Sequence, residues 1–392
     1  MELVRLKAVK GGTMTQKIER FLAERRPATP CLVFDLDVVE QNYHDMRHAL
    51  PDAHIYYAVK ANPAPEILAL LAQLGSRFDT ASVAEIRMVL AAGAMPEHIS
   101  FGNTIKKQVD IATAYALGVR LFAFDSEAEL NKLAAAAPGS NVFCRILTSG
   151  AGADWPLSRK FGCTVEMAEH LLKSAPAKGL NPIGVSFHVG SQQRDPGQWD
   201  HALAETASLF HRLEAEGIVL SLVNLGGGFP TKYRREVPTT AEYGQSIRHA
   251  LERHFGNRLP ETIIEPGRGM VGNAGVIQTE VVLISRKSAN DNDPDNRRWV
   301  YLDIGKFGGL AETMDEAIQY PITSTRTGPT ESVILAGPTC DSADVLYEKA
   351  DYQMPLSLEI GDKLEIQATG AYTTTYSAVA FNGFQPLEAY YI

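Results

Sequence analysis

Up to about residue 265, short apolar runs alternate with longer stretches of helical period. The runs are "IYYAV" (55–59), "RFDT" (77–80), "ISF" (99–101), "LFAF" (121–124), "NVFCRI" (141–146), "PIGVSF" (182–187), "SLVNL" (221–225) and "TIIE" (262–265). Between them the spacing predicts amphipathic helices, for example over Pro65 to Leu74, Val83 to Ala92 and Trp199 to Glu216. Strand and helix in strict alternation is the pattern of a parallel α/β sheet, and eight such units close a (β/α)8 TIM-like barrel. A doubly wound open sheet can use the same elements, so the chemistry has to decide. Lys60, Asp79, Arg145, His188, Gly226 and Glu265 each fall at or just beyond the C-terminal end of a different predicted strand. Barrel enzymes carry their active sites at that rim.

The texture changes near residue 275. "VIQTEVVLIS" (276–285), "RWVYLDI" (298–304), "SVILAG" (332–337) and "KLEIQA" (363–368) read as strands joined by turn-rich loops, without regular helices between them. The expected organisation is therefore a barrel over 36–275 followed by an all-β C-terminal domain over 276–392. Residues 1–35 are expected as a tail and a segment leading into or pairing with the β domain. The first thirteen residues carry Arg5, Lys7 and Lys10 without an apolar core of a signal peptide, so a flexible tail, or an upstream start before Met14, is expected there. The polar "KSANDNDPDNRR" (287–298) reads as a solvated hairpin loop.

Charge and cysteine usage narrow the partners. A net charge of −9 over 392 residues argues against a nucleic-acid surface, which needs a basic face. No segment approaches the ~20 consecutive apolar residues of a membrane span. Cys31, Cys144, Cys163 and Cys340 are scattered without metal-ligand spacing, so the expectation is reduced thiols in the cytoplasm, no metal, and a small-molecule substrate.

Two glycine-bearing loops then stand out. "NLGGGFP" (224–230) places three glycines after the seventh strand, and "EPGRGM" (265–270) follows the eighth. Glycine lets backbone N–H groups approach an anion closely, and barrel phosphate sites form at those two strands. Neither a triphosphate P-loop nor a dinucleotide fingerprint is present, so a phosphorylated cofactor in a barrel mouth fits better. If that cofactor is pyridoxal 5'-phosphate, the lysine of "YYAVKAN" (56–62) acquires a purpose: its amine forms a Schiff base with the aldehyde. From that stretch alone, a lysine that snorkels out of the barrel is an equal reading. Glu265 would keep the pyridine nitrogen protonated, which strengthens the electron sink.

Taken together, "YYAVKANP" (56–63), "FDTASVAEI" (78–86), "SFHVGSQ" (186–192), "NLGGGFP", "EPGRGMV" (265–271), "LDIGKFGGLAETMDEAI" (302–318), "GPTCDSADVL" (337–346), "GAYTTTY" (370–376) and "FNGF" (381–384) resemble the pyridoxal-phosphate decarboxylases of the alanine racemase-like barrel fold. Within them the chain is most similar to the ornithine and lysine/ornithine decarboxylases. The resemblance is collinear from Met14 onward. It implies decarboxylation of L-ornithine and/or L-lysine to putrescine and/or cadaverine, a step of polyamine formation.

The resemblance also implies roles. Lys60 would bind the cofactor covalently, with Asp79 and Glu85 close to it, Arg145 reaching the cofactor region and His188 stacking on the pyridine. Ser191, Gly226, Gly227, Gly228, Gly267, Arg268 and Tyr372 would surround the phosphate. A homodimer with shared sites is implied, in which Cys340 of one subunit protonates the product carbon in the other and Asp341 binds the distal ammonium of the substrate. Asp315 and Phe381 would complete the substrate pocket; for Asp315 the bland alternative is a cap on a helix starting at Glu316. Lys160 and Asp344 would pair across the interface or form a solvated surface pair. Three rivals stay in view. An alanine racemase on this barrel would carry arginine where Glu265 stands, and a diaminopimelate decarboxylase has Cys-Glu where this chain has Cys340-Asp341. A catalytically silent regulator would be expected to lack Lys60 or Cys340.

Overall fold

The computed structural model describes residues 14–155, 160–290 and 296–392. The tail expected over 1–13, the two residues before Lys160 in "SRKFG" and the middle of the 287–298 loop lie outside them. The chain divides into two units, one of residues 37–272 and one that joins the segment up to Leu36 with Asn273–Ile392.

In chain order, helix α1 (Gln16–Arg25) and strand β1 (Cys31–Phe34) come first and belong to the second of these units. The Thr15 hydroxyl starts α1 by accepting the Ile18 N–H at 3.2 Å, the ordinary way to satisfy a first-turn donor. Helix α2 (Leu36–Ala49) then leads into the first unit. Its strands are β2 (Ala53–Ala58), β3 (Arg77–Thr80), β4 (Ile99–Phe101), β5 (Leu121–Phe124), β6 (Asn141–Arg145), the short β7 (Ala153–Trp155), β8 (Asn181–Ser186), the short β9 (Ser191–Gln193), β10 (Leu222–Asn224) and β11 (Glu261–Ile264). Helices α3 (Pro65–Gln73), α4 (Val83–Ala91), α5 (Gln108–Ala116), α6 (Glu127–Ala136), α7 (Val165–Ser174), α8 (Gln198–Ala215), α9 (Thr240–Phe255) and the single-turn α10 (Arg268–Val271) separate them.

Strands β10, β11, β2, β3, β4, β5, β6 and β8 pair in that order, all parallel, and close on themselves. Strands β7 and β9 form a separate antiparallel ribbon. The barrel core is built by residues from several strands at once: Tyr56, Ala123, Phe143, Leu222 and Ile263 form one buried cluster, with Leu121 and Ile183 packed on it. Phe143, Leu222 and Ile263 each contribute about 1.5–3 kcal/mol by leaving water. The eight apolar runs of the sequence are the eight barrel strands. Several boundaries move by one or two residues; at the one nearest the chemistry, β2 ends at Ala58, and Lys60 rides on a one-turn 3-10 helix, Val59–Ala61.

Helix starts follow from short hydroxyl residues. Ser82, Ser126 and Thr164 cap α4, α6 and α7, and Thr239 with Glu242 makes a reciprocal capping box at α9. Between β4 and β5 the rim is held by a buried amine. Lys106 donates to the carbonyls of Asn103 and Ala123 at 2.7 Å each and pairs with Glu129 at 3.1 Å.

The second unit continues with β12 (Gly275–Ser285), β13 (Arg298–Leu302), β14 (Ile322–Ser324), β15 (Thr330–Ala336), β16 (Val345–Pro355), β17 (Lys363–Gln367) and β18 (Glu388–Tyr391). These pair in the order β14-β17-β12-β13-β15-β16. Strand β1 joins them, antiparallel to β12 and parallel to β18. Among the described residues no helix is long and apolar enough to cross a membrane.

Candidate active site

The C-terminal rim of the barrel gathers most of the chemistry. Asp79 lies within β3, Arg145 ends β6, Glu265 follows β11 by one residue, and Lys60, His188 and Gly226 each follow their strand by two. The rim charges act on one another. Burial, and then the Glu265 carboxylate, push the Asp79 carboxyl well above the ordinary carboxylate range, against the pull of Lys60. Burial raises Glu85 as well, and its carboxylate accepts the Ala81 N–H at 2.6 Å. Burial, then Arg145 and Lys60, lower the His188 pKa well below 6.5, so the imidazole is neutral. Its Nδ1 accepts the Gly190 N–H at 3.0 Å, which leaves the proton on Nε2.

The glycines are dictated by space. Gly226 and Gly228 have φ of 65° and 104°. A Cβ on Gly227 would stand 2.6 Å from the Glu265 carbonyl oxygen and 3.2 Å from His188 Nε2, and one on Gly226 would stand 2.2 Å from the Phe187 carbonyl oxygen. No side chain larger than hydrogen fits this bend. Beside it, Gly267 precedes the buried Arg268, whose Nη1 donates to the Tyr233 hydroxyl at 2.8 Å and Nη2 to Ser191 Oγ at 3.3 Å. A buried guanidinium beside a hydroxyl and a backbone turn is an anion seat.

Sequence reasoning passed over several residues that set this geometry. Asn224, fully buried at the end of β10, donates through Nδ2 to Glu265 Oε1 at 2.5 Å and accepts the Gly226 N–H through Oδ1 at 2.9 Å. One amide thereby fixes both the carboxylate and the glycine loop. Gln192 and Thr231 exchange hydrogen bonds of 2.6 and 3.0 Å, and Thr148 Oγ1 donates to the His188 carbonyl at 2.6 Å. A buried amide or hydroxyl inside an apolar run leaves no periodic trace in sequence.

The remaining candidates belong to the other unit and lie on its turns. Cys340 and Asp341 are exposed; the Cys340 N–H donates to Asn382 Oδ1 at 3.0 Å, and Asp341 Oδ1 accepts the Ala343 N–H at 2.8 Å. Phe381 packs on Phe307 with ring centroids 4.9 Å apart. Tyr372 is half-buried on a left-handed backbone, φ 62°. Asp315 is exposed, φ 52°, and no helix begins at Glu316, so the capping alternative fails. Among the described residues no hydrogen bond or ring contact joins Asp315 to Cys340, Asp341 or Phe381. Asp344 also departs from expectation. It is buried, with one oxygen accepting the Lys306 N–H at 2.8 Å and the other the Thr339 N–H at 3.1 Å and hydroxyl at 2.7 Å. A carboxylate so committed is not a solvated surface charge; Lys160 is exposed, with its amine 4.9 Å from the Phe161 ring.

Comparison with known proteins agrees with this geometry. Residues 36–272 match the model of the pyridoxal-dependent decarboxylases, pyridoxal binding domain. The chain is 37% identical over 378 residues to the lysine/ornithine decarboxylase of Selenomonas ruminantium, covering 96% of this chain and 92% of that protein. The structure of SrLDC in complex with PLP and cadaverine superposes with a TM-score of 0.85 at 36% identity, over 96% of this chain and 93% of that one. The lysine/ornithine decarboxylase of Vibrio vulnificus, complexed with cadaverine, gives 0.84 at 29% identity over 96% and 97%. The chain belongs to the pyridoxal-dependent decarboxylase family.

The rim suits that cofactor on its own terms. It holds a lysine amine, a carboxylate fixed by Asn224, an anion seat at Arg268 and Ser191, and a bend where any Cβ would intrude. Asp79 Oδ1 is buried with no hydrogen-bond partner among the described residues, and a Cβ on Gly102 would lie 1.9 Å from it.

Proposed function

We propose that the protein is a cytoplasmic, PLP-dependent carboxy-lyase acting on L-ornithine and/or L-lysine, releasing CO2 and leaving putrescine and/or cadaverine. The observation that carries the reading is the meeting of Lys60, Glu265 and Arg268 around the glycine bend on one barrel rim. When bound, PLP supplies the electron sink that accepts the pair left behind by CO2. The protein's part is to hold and to orient. Lys60 anchors the cofactor through its amine. Arg268, Ser191, Gly267 and the N–H groups of Gly226 to Gly228 hold the phosphate, and Tyr372 is assigned to the same end. Glu265, its orientation set by Asn224, keeps a proton on the ring nitrogen. His188, neutral, covers the ring face, and Arg145 balances the rim carboxylates.

The enzyme is further proposed to work as a homodimer. The partner subunit's Cys340 delivers the proton to the carbon that has lost CO2, and the partner subunit's Asp341 receives the distal ammonium of the substrate together with Asp315 and Phe381. An acidic distal pocket attracts an ammonium and repels a carboxylate. Steady-state kinetics on L-ornithine, L-lysine, L-arginine and meso-diaminopimelate test this. The kcat/KM for ornithine or lysine should exceed that for meso-diaminopimelate by at least a hundredfold, on the order of the several kcal/mol that a like-charge contact costs. Comparable turnover of meso-diaminopimelate would defeat the assignment.

A further inference from the structure

Asp315 sits on backbone that a side chain ordinarily avoids. Asp315 and Glu316 are consecutive non-glycine residues with φ of 52° and 57°. Two left-handed residues in a row are costly for L-amino acids, and glycine or asparagine is the cheaper choice. Such strain persists only where surrounding structure over-determines it. Here the surroundings can be named.

Strand β16 bulges opposite this turn. Between the Leu335↔Tyr347 and Val333↔Tyr352 pairs, β15 advances from 335 to 333 while β16 advances from 347 to 352. The extra residues lose their ladder partners, and their N–H groups need acceptors. Glu316 supplies them: Oε1 accepts from Glu348 and Lys349 at 2.7 Å each, and Oε2 accepts from Ala350 at 2.6 Å. Burial pushes the Glu316 carboxyl up, but the three N–H groups outweigh it and hold its pKa below the ordinary carboxylate value. The next residues are pinned to the same strand. The Tyr347 hydroxyl donates to the Ile318 carbonyl at 2.8 Å and accepts the Tyr320 N–H at 3.0 Å, and the Tyr352 hydroxyl donates to the Tyr320 carbonyl at 2.8 Å. Upstream, Thr313 Oγ1 donates to the Leu310 carbonyl at 2.7 Å. Between these anchors Met314 and Asp315 stand exposed. A carboxylate on a held turn keeps one position; on a free loop it would sample many.

We propose that Glu316 is a positioning residue for substrate recognition: by gripping the bulge of β16 it holds the left-handed turn that presents the Asp315 carboxylate. The proposal rests on the reading of Asp315 as a receiver of the distal ammonium. A rigid carboxylate discriminates chain length, because a substrate one methylene shorter or longer meets it at a worse distance.

The test uses Asp315→Ala, Glu316→Ala and Glu316→Gln proteins loaded with cofactor, with kcat and KM for L-ornithine and L-lysine, and amide hydrogen exchange over residues 348–350. Asp315→Ala should raise KM about tenfold, the loss of one charge-assisted contact. Glu316→Ala should raise KM by a similar factor, lower kcat less than about threefold, and speed exchange of the three amides. Glu316→Gln, which keeps one oxygen acceptor, should fall between wild type and Glu316→Ala in both readouts and covers the case where Glu316→Ala does not fold. Faster exchange with KM within about twofold of wild type, while Asp315→Ala raises it, would show that Glu316 serves the bulge alone and overturn the proposal. So would unchanged exchange. An unchanged KM in Asp315→Ala would instead remove the reading of Asp315 itself.

Discussion

The barrel rim and the turns of the β unit carry chemistry in opposite ways. On the rim, functional groups project from strand ends, and burial does the tuning: Asp79 is pushed up, His188 pushed down, and Arg268 sits buried between two hydroxyls. On the turns, Cys340, Asp341, Asp315 and Phe381 are exposed. Their geometry is set by other residues: Asn382 and Asp344 for the cysteine loop, Glu316 for Asp315. A rim of this kind carries most of the groups proposed to hold the cofactor, Tyr372 being the exception. Exposed side chains on braced turns are suited to meeting something that arrives, whether a substrate or a second subunit.

The comparison is broken most severely at Lys60 and Cys340. Lys60→Ala should lose the visible absorbance of the bound cofactor and several orders of magnitude in turnover, whereas Cys340→Ala should keep the absorbance and lose turnover. When the two inactive proteins are mixed and allowed to exchange subunits, about a quarter of the wild-type sites should return, since half of the random dimers are mixed and each has one intact site of two. No recovery after verified exchange would mean that the turns serve the rim of their own chain.

A smaller effect is expected at Asp344. Asp344→Asn keeps the shape but turns an amide donor toward one of the N–H groups the carboxylate now satisfies. Stability should fall by ~1–3 kcal/mol and kcat should drop with it, while cofactor absorbance and KM for PLP hold. Loss of cofactor in this variant would erase the distinction between the two regions.

The smallest effect sharpens the rim side and concerns acid stability. His188 has a folded pKa below the unfolded value of 6.5, for reasons of burial first and of Arg145 and Lys60 next. Between those two pKa values the unfolded chain binds a proton that the folded chain refuses, so stability is complete above pH 6.5 and declines as pH falls below it. In protein freed of cofactor, wild type should therefore lose stability faster than His188→Phe below pH 6.5, by about 1 kcal/mol per pH unit. Parallel denaturation curves from pH 7 to 5 would place the charged imidazole in solvent.

Much of the rim was legible because strand ends are marked by a change of residue type: apolar runs stop at Lys60, Arg145 and the glycines of 226–228, and the barrel register does the rest. Asn224 was invisible for the converse reason, as its amide closes an apolar run and its partners come from Gly226 and Glu265. The turns were legible by motif but not by geometry. "MDEAI" admits a helix cap at Asp315 beside the functional reading, but Asp315 and Glu316 take left-handed backbone, with Glu316 accepting three N–H groups of β16, distant in sequence. Asp344 reads as half of a charge pair with Lys160, across the interface or at the surface, since sequence cannot show that Thr339 and Lys306 turn their N–H groups toward it.

The pairing of β1 with β18 bears on how the chain is made. Cys31 lies opposite Glu388 and Phe34 opposite Tyr391, so a strand translated early waits for one translated more than 350 residues later. At ~5–20 residues per second that wait is roughly 20 to 70 s on the ribosome. The barrel strands, all contained between Ala53 and Ile264, are complete well before it ends. Until β12 is made the apolar segment Cys31 to Phe34 has neither flanking strand, and until β18 is made it has only one, so an open strand edge stays available to a chaperone.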